Sequence, residues 1–526
     1  MQNLQSPSFN ETNDIQALLQ NNADLQVKVE SLEQQLRWFK RQLFGEKSEK
    51  FDMADNPYQV TIADVLNDLP DVPKLENEDR QTVTYQRGKA KKDKLEGTPD
   101  DSGLRFDESV PVEEIKISSP ELEGPDADRY EIIDYKNTYR LAKRPDSYVV
   151  LKYIRAVLKD KSSQKITTVA APENVLDKSF ADVSFLAGLL IDKFCYHLPL
   201  YRQHQRLEQN GFKVARSTLT NLVKRSIELL HPIAQAQKDN ILISRVLAMD
   251  ETPIKAGKKQ KGKLNRAYFW PIYGEQDEVC FTFSNNRSMR HLDEQLGDYH
   301  GTLLSDGYGV YAQYQKKKPD LIHAQCWVHA RRYFERSKES EPDASAAALT
   351  YIARLFTLER QIKDQQMEGA EKQHYRKAHS KPVIDAFYNW CHEQRQRIDL
   401  VNSNPLSKAL NYVIKRRTEL TVYLNDPQVP MDTNHLERAL RVIPMGRKNW
   451  MFCWTEIGAE QVGIIQSLLV TCKLHEVNFY DYLVDVLQRI SCHPASKVNE
   501  LTPRLWKVKF ANNPMRSDLE KSLHGQ

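Results

Sequence analysis

Three carboxylates of this 526-residue chain are spaced so that a fold can bring them to one point. Asp250 ends an apolar run at 246–249, and Asp306 follows a second apolar run. A carboxylate directly after a buried strand is held rigidly at the edge of a sheet, so two of them on neighbouring strands can converge. The third, Glu437, is predicted to lie on a helix, off its buried face. The pattern predicts one acidic site built by two strands and a helix.

Oxygen ligands of this kind suit hard divalent cations. Magnesium binds through one or two carboxylates together with water and substrate phosphate, and two such ions about 3.5–4 Å apart assist in-line phosphoryl displacement. We therefore expect Asp250, Asp306 and Glu437 to bind Mg²⁺, with Mn²⁺ as a substitute. Each acid also has a plain structural alternative: a turn cap at Asp250, a type I turn at Asp306, or an ion pair between Glu437 and Arg441.

Cations surround the third carboxylate in the sequence. Planar guanidinium groups suit phosphate oxygens, so these side chains are predicted to hold a DNA backbone beside the acidic site. Asn434, one turn before Glu437, is expected to orient a metal-bound water or a sugar oxygen. The predicted phosphate contacts are Arg331, Arg332, Arg438, Arg441, Arg447 and Lys448.

The stretch HAQCWVHA puts His323, Cys326 and His329 within seven residues. A structural zinc ion would need a fourth ligand and well-spaced soft donors. We favour imidazole side chains packed around Trp327 in this stretch, and we expect no zinc ion.

The elements that must position these residues begin at residue 241. Three strand-like segments between 244 and 288 predict an antiparallel meander, followed by a helix, a strand that ends at Asp306, and a strand that runs into a helix. The whole is predicted to be a multidomain α+β protein. Its later parts are the catalytic core at 241–340, a helical insertion at 341–430, the helix of the third carboxylate at 431–470, and a helical C-terminal region at 471–526.

The N-terminal part carries a heptad pattern. Apolar residues recur at the a and d positions of residues 15–43, with Asn22 at one a position, which favours a parallel two-stranded coiled coil. Residues 1–46 are therefore predicted to be a dimerisation helix, although a single amphipathic helix on its own domain is the alternative. Residues 47–110 have the composition of a charged linker.

A small β-rich unit is predicted at 111–175 and a helix-turn-helix at 176–240. Gly211 would make the turn, and the second helix would bury its leucines. Its other face would then be free to meet DNA. A plain helical hairpin is the alternative. The predicted DNA contacts of this unit are Arg216, Thr220, Asn221 and Arg225.

The bulk composition bounds the class of protein. A net charge of +4 is small for this length, so any basic surface must be local. The seven cysteines form no C-x-x-C pair, which fits a reducing cytoplasm. We see neither a secretory signal nor a long apolar run, so cytoplasmic localisation without a membrane partner is expected.

Several motifs together resemble those of transposases of the insertion sequence 66 family. The motifs are MDETPIKA, SDGYGVYAQY, CWVHARRYFER and NHLERALRVIPMGRKNWMF. The resemblance implies a ribonuclease-H-like core of the Asp-Asp-Glu type, with Asp250, Asp306 and Glu437 as the catalytic triad. Together with the heptad pattern, it predicts a homodimer through 15–43, and a protein that is associated with the nucleoid when bound to DNA. Double-stranded transposon ends and target DNA would be the substrates, and helper proteins of the same element are expected partners.

The chain departs from that family in the region before the helix-turn-helix and in the text MFCWTEIGAE from Met451, where relatives tend to have a small Gly-Ser turn. Family members usually carry a cysteine-rich zinc unit before the helix-turn-helix, yet the first cysteine here is Cys195. Residues 101–180 therefore cannot hold such a zinc site. Three other functions remain open from the sequence: a metal-dependent nuclease that cuts without joining, an inactive DNA-binding relative, and, least favoured, a coiled-coil scaffold.

Overall fold

The structure is a computed structural model that describes residues 104–523, with gaps at residue 109, at 144–146 and at 261–262. The predicted coiled-coil helix of residues 1–46 lies outside the described residues, as does the predicted linker up to residue 103. None of the helices in the described part of the chain is long and apolar enough to cross a membrane.

A four-stranded sheet lies between residues 112 and 168, within the β-rich unit predicted at 111–175. Its strand order is β1-β3-β2, with β4 on β3; β1 runs parallel to β3, whereas β2 and β4 run antiparallel to it. A short helix, α1 (Pro120–Glu123), and a 3-10 turn lead from β1 to β2. The strands are β1 (Val112–Ile117), β2 (Tyr130–Lys143), β3 (Tyr148–Asp160) and β4 (Ile166–Thr168).

The linker prediction is wrong at its C-terminal end. Leu104 and Val110 are buried, and Phe106 forms a β-bridge with Phe212. These apolar side chains are packed in the core because exposing them would cost hydrophobic free energy. The folded part of the chain therefore begins before residue 110.

The predicted helix-turn-helix region contains three helices: α2 (Val183–Phe194), α3 (Leu200–Gln209) and α4 (Arg216–Leu242). The turn between α3 and α4 passes through Gly211, whose φ of +82° is one that glycine adopts without strain. The leucines of α4 that face inward are buried, as predicted. The last helix continues past the predicted boundary at residue 240.

A six-stranded mixed sheet forms the central part of the chain. The strand order is β10-β9-β5-β7-β6, with β8 on β7; β10, β9 and β5 are parallel, and β5, β6 and β8 each pair antiparallel with β7. The predicted meander is confirmed, and its first strand is broken into two at Asp250 and Glu251. The strands are β5 (Val246–Met249), β6 (Thr252–Gln260), β7 (Lys263–Tyr273), β8 (Val279–Ser284), β9 (Thr302–Ser305) and β10 (Ile322–Gln325).

Helices connect and cover this sheet, and they fill the predicted insertion and C-terminal regions. Helix α15 (Glu456–Leu474) crosses the predicted boundary at residue 470, and its Ser467 accepts a hydrogen bond from the backbone N–H of Phe281 on β8. The helices of this part are α5 (Met289–Leu296), α6 (Gly309–Lys317), α7 (Trp327–Ser337), α8 (Pro342–Asp364), α9 (Gly369–Tyr375), α10 (Lys381–Arg395), α11 (Pro405–Ile414), α12 (Arg417–Asn425), α13 (Asn434–Leu440), α14 (Val442–Trp450), α15 (Glu456–Leu474), α16 (Phe479–Arg489), α17 (Pro503–Lys509) and α18 (Asp518–Leu523).

The insertion is tied to the segment that leads into α13 by one buried arginine. Arg376 is fully buried and pairs in bidentate fashion with Glu359, at 2.7 and 2.8 Å. Its Nη1 also donates to the backbone carbonyls of Tyr423, Asp426 and Val429. A buried guanidinium with all these partners fixes the backbone just before the helix that carries Glu437.

We predict that Arg376→Met destabilises the protein strongly, because Glu359 and three carbonyls would lose a buried partner. Breaking a buried ion pair typically costs about 3–5 kcal/mol, so the melting temperature of a folded chain of this size should fall by roughly 3–6 °C. Lys381→Met is the matched control, because it removes an exposed ion pair with Asp385 in the same insertion. This variant should change the melting temperature by about 1 °C. Equal shifts for the two variants would contradict this account.

Candidate active site

The register of the central sheet brings Asp250 and Asp306 together. Ala248 on β5 is paired with Leu304 on the parallel strand β9. Each aspartate lies two residues beyond that pair, so both share the same level and the same face of the sheet. Carboxylate oxygens of Asp250, Glu251 and Asp306 all lie within 4.8 Å of one another. The two predicted strand-end acids therefore do converge.

Glu251 is an acid of this site that sequence reasoning missed. Its side chain is 2% exposed and forms an ion pair with Arg287, and Tyr311 donates its hydroxyl to Oε2 at 3.1 Å. The backbone N–H of Glu251 donates to Asp250 at 2.8 Å. Both carboxylate oxygens of Glu251 thus already have partners. We therefore interpret Glu251 as a residue that supports Asp250. Its position directly after Asp250 was the only signal available in the sequence.

Asp306 is oriented by the turn that follows β9. The backbone N–H of Tyr308 donates to its Oδ1 at 2.8 Å, as in the turn that the structural alternative for this residue invokes. Arg287 stacks on the Tyr308 ring at 3.8 Å from the ring centroid. This turn uses only one carboxylate oxygen of Asp306, so a turn role and a metal role are compatible.

Glu437 lies in the first turn of α13 and faces α7. Its Oε2 accepts from Arg332 at 2.5 Å, and its Oε1 lies 3.9 Å from Nε2 of His329. Oε1 is buried and has no hydrogen-bond partner among the described residues. The alternative pair with Arg441 is therefore not the contact formed. A buried carboxylate oxygen without a hydrogen-bond partner is well suited to be a ligand of a cation.

The helix of Glu437 is fixed to the core by the HAQCWVHA stretch. Thr433 donates through both its N–H and its hydroxyl to the Cys326 thiol at 3.3 Å, and Trp327 donates its N–H to Met431. His323 instead contacts Ser305 at 2.9 Å. The histidines and the cysteine thus have separate partners, and among the described residues they form no metal cluster.

The site contains more acidic than basic side chains. Burial raises the pKa of Asp250 to about 7, and repulsion from Asp306 and Glu437 adds to the effect, while Arg332 and Arg287 oppose it. Burial also lowers the pKa of His329, while Asp306 and Glu437 oppose that shift. A divalent cation between the carboxylates would relieve the repulsion, so the donor set fits a hard metal ion.

The side chains predicted to contact phosphate differ in whether they are already bonded to other protein groups. Arg332 is engaged with Glu437, so its predicted role as a phosphate contact is secondary to orienting that carboxylate. Arg447 donates to the carbonyl of Pro253 on β6, and Arg331 pairs with Glu335 on its own helix. The remaining three are exposed on α13, between α13 and α14, and on α14: Arg438, Arg441 and Lys448.

A cleft of about 360 Å³ adjoins the carboxylates. It is lined by side chains of the Asp306 turn, of α7 and of α11, and four of the lining residues carry a guanidinium or an imidazole. A polyanion that approaches the acids along this route meets positive charge first. The charged and ring-bearing lining residues are Arg287, Asp306, Tyr308, His329, Arg332, Tyr333, Arg336 and Tyr412.

The helix-turn-helix residues lie on a different element, the N-terminal half of α4. Arg216, Thr220 and Asn221 are exposed. The Arg216 guanidinium lies 5.6 Å from the centre of the Tyr201 ring on α3. Arg225 is half-buried and donates to the carbonyl of Asp177. The first three side chains are therefore accessible to a partner, and Arg225 is less so.

Comparisons with known proteins assign most of the chain. A family model described as "Transposase IS66 family" matches residues 178–461, and one described as "IS66 C-terminal element" matches residues 467–504. A third, described as "Transposase C of IS166 homeodomain", matches residues 31–115. The first match contains all three predicted triad residues. The third covers the end of the predicted coiled coil and the predicted linker, and its homeodomain description supports DNA binding.

Three uncharacterized proteins of Sinorhizobium fredii are similar to this chain. The protein y4hP is 28% identical over 401 residues, which are 72% of each chain. The protein y4jD is 28% identical over 354 residues, which are 64% of this chain and 68% of y4jD. The protein y4qI is 23% identical over 503 residues, which are 92% of this chain and 89% of y4qI. The similarity to y4qI thus spans nearly the whole chain.

We predict that divalent metal stabilises the protein in a pH-dependent manner. The raised pKa of Asp250 means that the folded state keeps this proton until about pH 7. The metal-free protein therefore loses stability as the pH rises from about 4, where this carboxyl ionises in the unfolded chain, to about 7, where it ionises in the folded one. Mn²⁺ competes with that proton, so the increase in melting temperature caused by Mn²⁺ should be larger at pH 8 than at pH 6.

Asp250→Asn is the matched control for this measurement. It removes the titrating group and one ligand, so its melting temperature should rise relative to wild type at pH 8 without metal and respond little to Mn²⁺. A metal-induced shift in Asp250→Asn as large as that of the wild type would refute a metal site at Asp250.

Proposed function

The chain belongs to the IS66 family of transposases, and we propose that it is a metal-dependent DNA transposase whose triad is Asp250, Asp306 and Glu437. In this proposal the protein cleaves transposon ends and joins the resulting 3′-hydroxyl groups to target DNA. It would act in the cytoplasm, on the DNA of the nucleoid. Helper proteins of the same element would be its partners.

One observation carries the proposal. Asp250 and Asp306 follow adjacent parallel strands with carboxylate oxygens within 4.8 Å of each other. Glu437 lies outside that group of oxygens, but its charge contributes to the raised pKa of Asp250, which supports a place for it near the two aspartates. A mixed sheet with two acids at such positions and a third on a covering helix supports a ribonuclease-H-like core. The free Oε1 of Glu437 supports its role as a third ligand.

The three carboxylates would hold Mg²⁺ or Mn²⁺. When bound, such ions activate a water or hydroxyl nucleophile and stabilise the leaving oxygen in phosphodiester chemistry. Hydrolysis at the transposon end and transfer to the target are both in-line displacements at phosphorus, so the same carboxylates would serve both steps.

The surrounding residues would orient the acids and the DNA. Arg332 holds one oxygen of Glu437 and leaves the other free, so it would keep the carboxylate aimed at the site. Glu251 and Arg287 would fix Asp250 and the turn of Asp306. The exposed cations Arg438, Arg441 and Lys448 would contact the DNA backbone next to Glu437.

Two further features complete the proposal. A dimer through residues 15–43 would pair two active sites, as the joining of two transposon ends requires. The exposed N-terminal half of α4 would read each end, since the N-terminal residues of a recognition helix are the ones that reach base edges.

Strand transfer in vitro tests the catalytic part. Labelled transposon-end DNA and a target plasmid are mixed with the full chain and Mg²⁺, Mn²⁺ or EDTA. We predict metal-dependent joined products for the wild type and none for Asp306→Asn or Glu437→Gln, because each variant removes a ligand charge. Cleavage without joining would instead identify a nuclease, and an Asp306→Asn variant that keeps full metal-dependent cleavage would refute the triad.

Binding to transposon-end DNA tests whether α4 recognises the end sequence. Arg216→Ala and Asn221→Ala should each weaken binding to the end sequence by about 5–150-fold, because one bidentate base contact is worth about 1–3 kcal/mol of discrimination. Binding to random duplex should change much less. Gln235→Ala, exposed in the later half of the same helix, is the control and should bind as wild type does. Equal losses on both DNAs would leave α4 without a reading role.

A further inference from the structure

A strained turn follows the helix after Glu437 and presents apolar side chains to solvent. Met451 has φ +62° and ψ −49°, and the N–H of Phe452 donates to the carbonyl of Trp450 at 2.7 Å. This is a γ-turn of the rare form, which is unfavourable for a residue with a side chain. Such strain persists only where surrounding contacts impose it, and it is concentrated at functional positions.

The contacts that impose the turn fix it along β6. The N–H of Cys453 donates to the carbonyl of Lys255 at 2.9 Å, and Cys453 forms a parallel bridge with Ala256. Arg447 on the preceding helix donates to the carbonyl of Pro253. The chain from 447 to 453 is therefore attached to the strand that begins just after Asp250 and Glu251.

The attachment sets how far the turn is from the carboxylates. Strands rise about 3.3 Å per residue, so Lys255 lies no more than roughly 17 Å along the chain from Asp250. One DNA strand advances about 3.4 Å per nucleotide. A DNA strand with a phosphate at Asp250 could therefore reach the turn with about five nucleotides.

The exposed groups at the turn are of the kind that contacts bases. Met451 and Trp454 are 63% and 67% exposed. The Trp454 ring packs edge-on against Phe452, with centroids 5.0 Å apart and planes at 90°, so one side chain supports the other. An exposed tryptophan held in place by a second ring offers a flat, rigid face for stacking.

The charge around the turn favours nucleic acid as the occupant. Lys255, Arg441 and Lys448 are exposed on the elements that flank it, with Glu456 as a nearby acid. Aromatic side chains interleaved with cations are the surface that binds unpaired nucleotides, since bases stack on the ring while phosphates contact the cations. An interface with a second protein is the other occupant for an apolar patch, but it gives no reason for the cations.

We propose that Trp454, with Met451 beside it, is a stacking site for an unpaired base of the DNA strand that enters the carboxylate cluster. This inference rests on the proposed function and adds to it a subsite for single-stranded DNA. The duplex would have to open within about five nucleotides of the reacting phosphate. Trp454 would hold the freed base and so keep the strand in place.

The experiment compares two DNA probes with the full chain in Ca²⁺, which is chosen to occupy carboxylate ligands while limiting cleavage. One probe is a blunt duplex, and the other is the same duplex with a six-nucleotide 3′ overhang carrying 2-aminopurine. We expect the wild type to bind the overhang probe about tenfold more tightly, since stacking of one base on an aromatic ring has an effect of about that size. The 2-aminopurine fluorescence should change on binding.

Trp454→Ala should abolish both the preference and the fluorescence change while keeping the affinity for blunt duplex. Trp454→Phe should retain most of both, because a flat ring remains. Tyr135→Ala removes a 54% exposed aromatic ring of the small sheet and should behave as wild type. Melting temperatures equal to wild type would show that the variants are folded.

Three results would overturn the stacking site: an unchanged overhang preference in Trp454→Ala, equal loss of affinity for both probes, or a change in oligomeric state that marks the turn as a protein interface. The outcome is separate from that of the proposed function. A Trp454-dependent preference for the overhang probe without metal-dependent cleavage would refute the transposase proposal and keep the stacking site. Strand joining without that preference would support the transposase proposal and refute the stacking site.

Discussion

Repulsion between ionised carboxylates is the constraint on which the active-site architecture depends. Asp250 and Asp306 have carboxylate oxygens within 4.8 Å of each other, and burial together with repulsion from Asp306 and Glu437 raises the pKa of Asp250 to about 7. Such an arrangement is unfavourable for the metal-free fold, so it persists only because other parts of the chain hold it. The parallel pairing of β5 and β9 fixes the two aspartates. Arg287 and Arg332 supply part of the opposing charge, and a metal ion would supply the rest.

The third carboxylate needs the most support, because it comes from a short helix far along the chain. The thiol of Cys326 holds the start of α13 through Thr433, and Arg376 of the insertion holds the backbone before it. The insertion thereby contributes to the position of Glu437 without approaching it. This gives a physical reason for a large helical segment between the second and third acids. A disturbance of the insertion is expected to reach the site through α13.

Short-range patterns predicted much of this structure. Apolar runs that end at Asp250 and Asp306 gave the strand ends, and helical periodicity gave the position of Glu437 off the buried face of its helix. Contacts between distant segments were not predictable. The pairing of Glu437 with Arg332, the support of Glu251 by Arg287 and the packing of Leu104 before the β-rich unit all depend on the tertiary fold. The γ-turn at Met451 has no sequence signature, since glycine is the residue expected at positive φ.

The central claim is that these three carboxylates bind one group of metal ions. It is tested most directly by anomalous X-ray scattering from a crystal of the full chain soaked in Mn²⁺. The account predicts a peak about 2.0–2.3 Å from oxygens of both Asp250 and Asp306, with Glu437 Oε1 turned toward it. The peak should be absent from crystals of Asp250→Asn. A Mn²⁺ peak bound elsewhere, with the carboxylate cluster empty under conditions that support DNA cleavage, would contradict it.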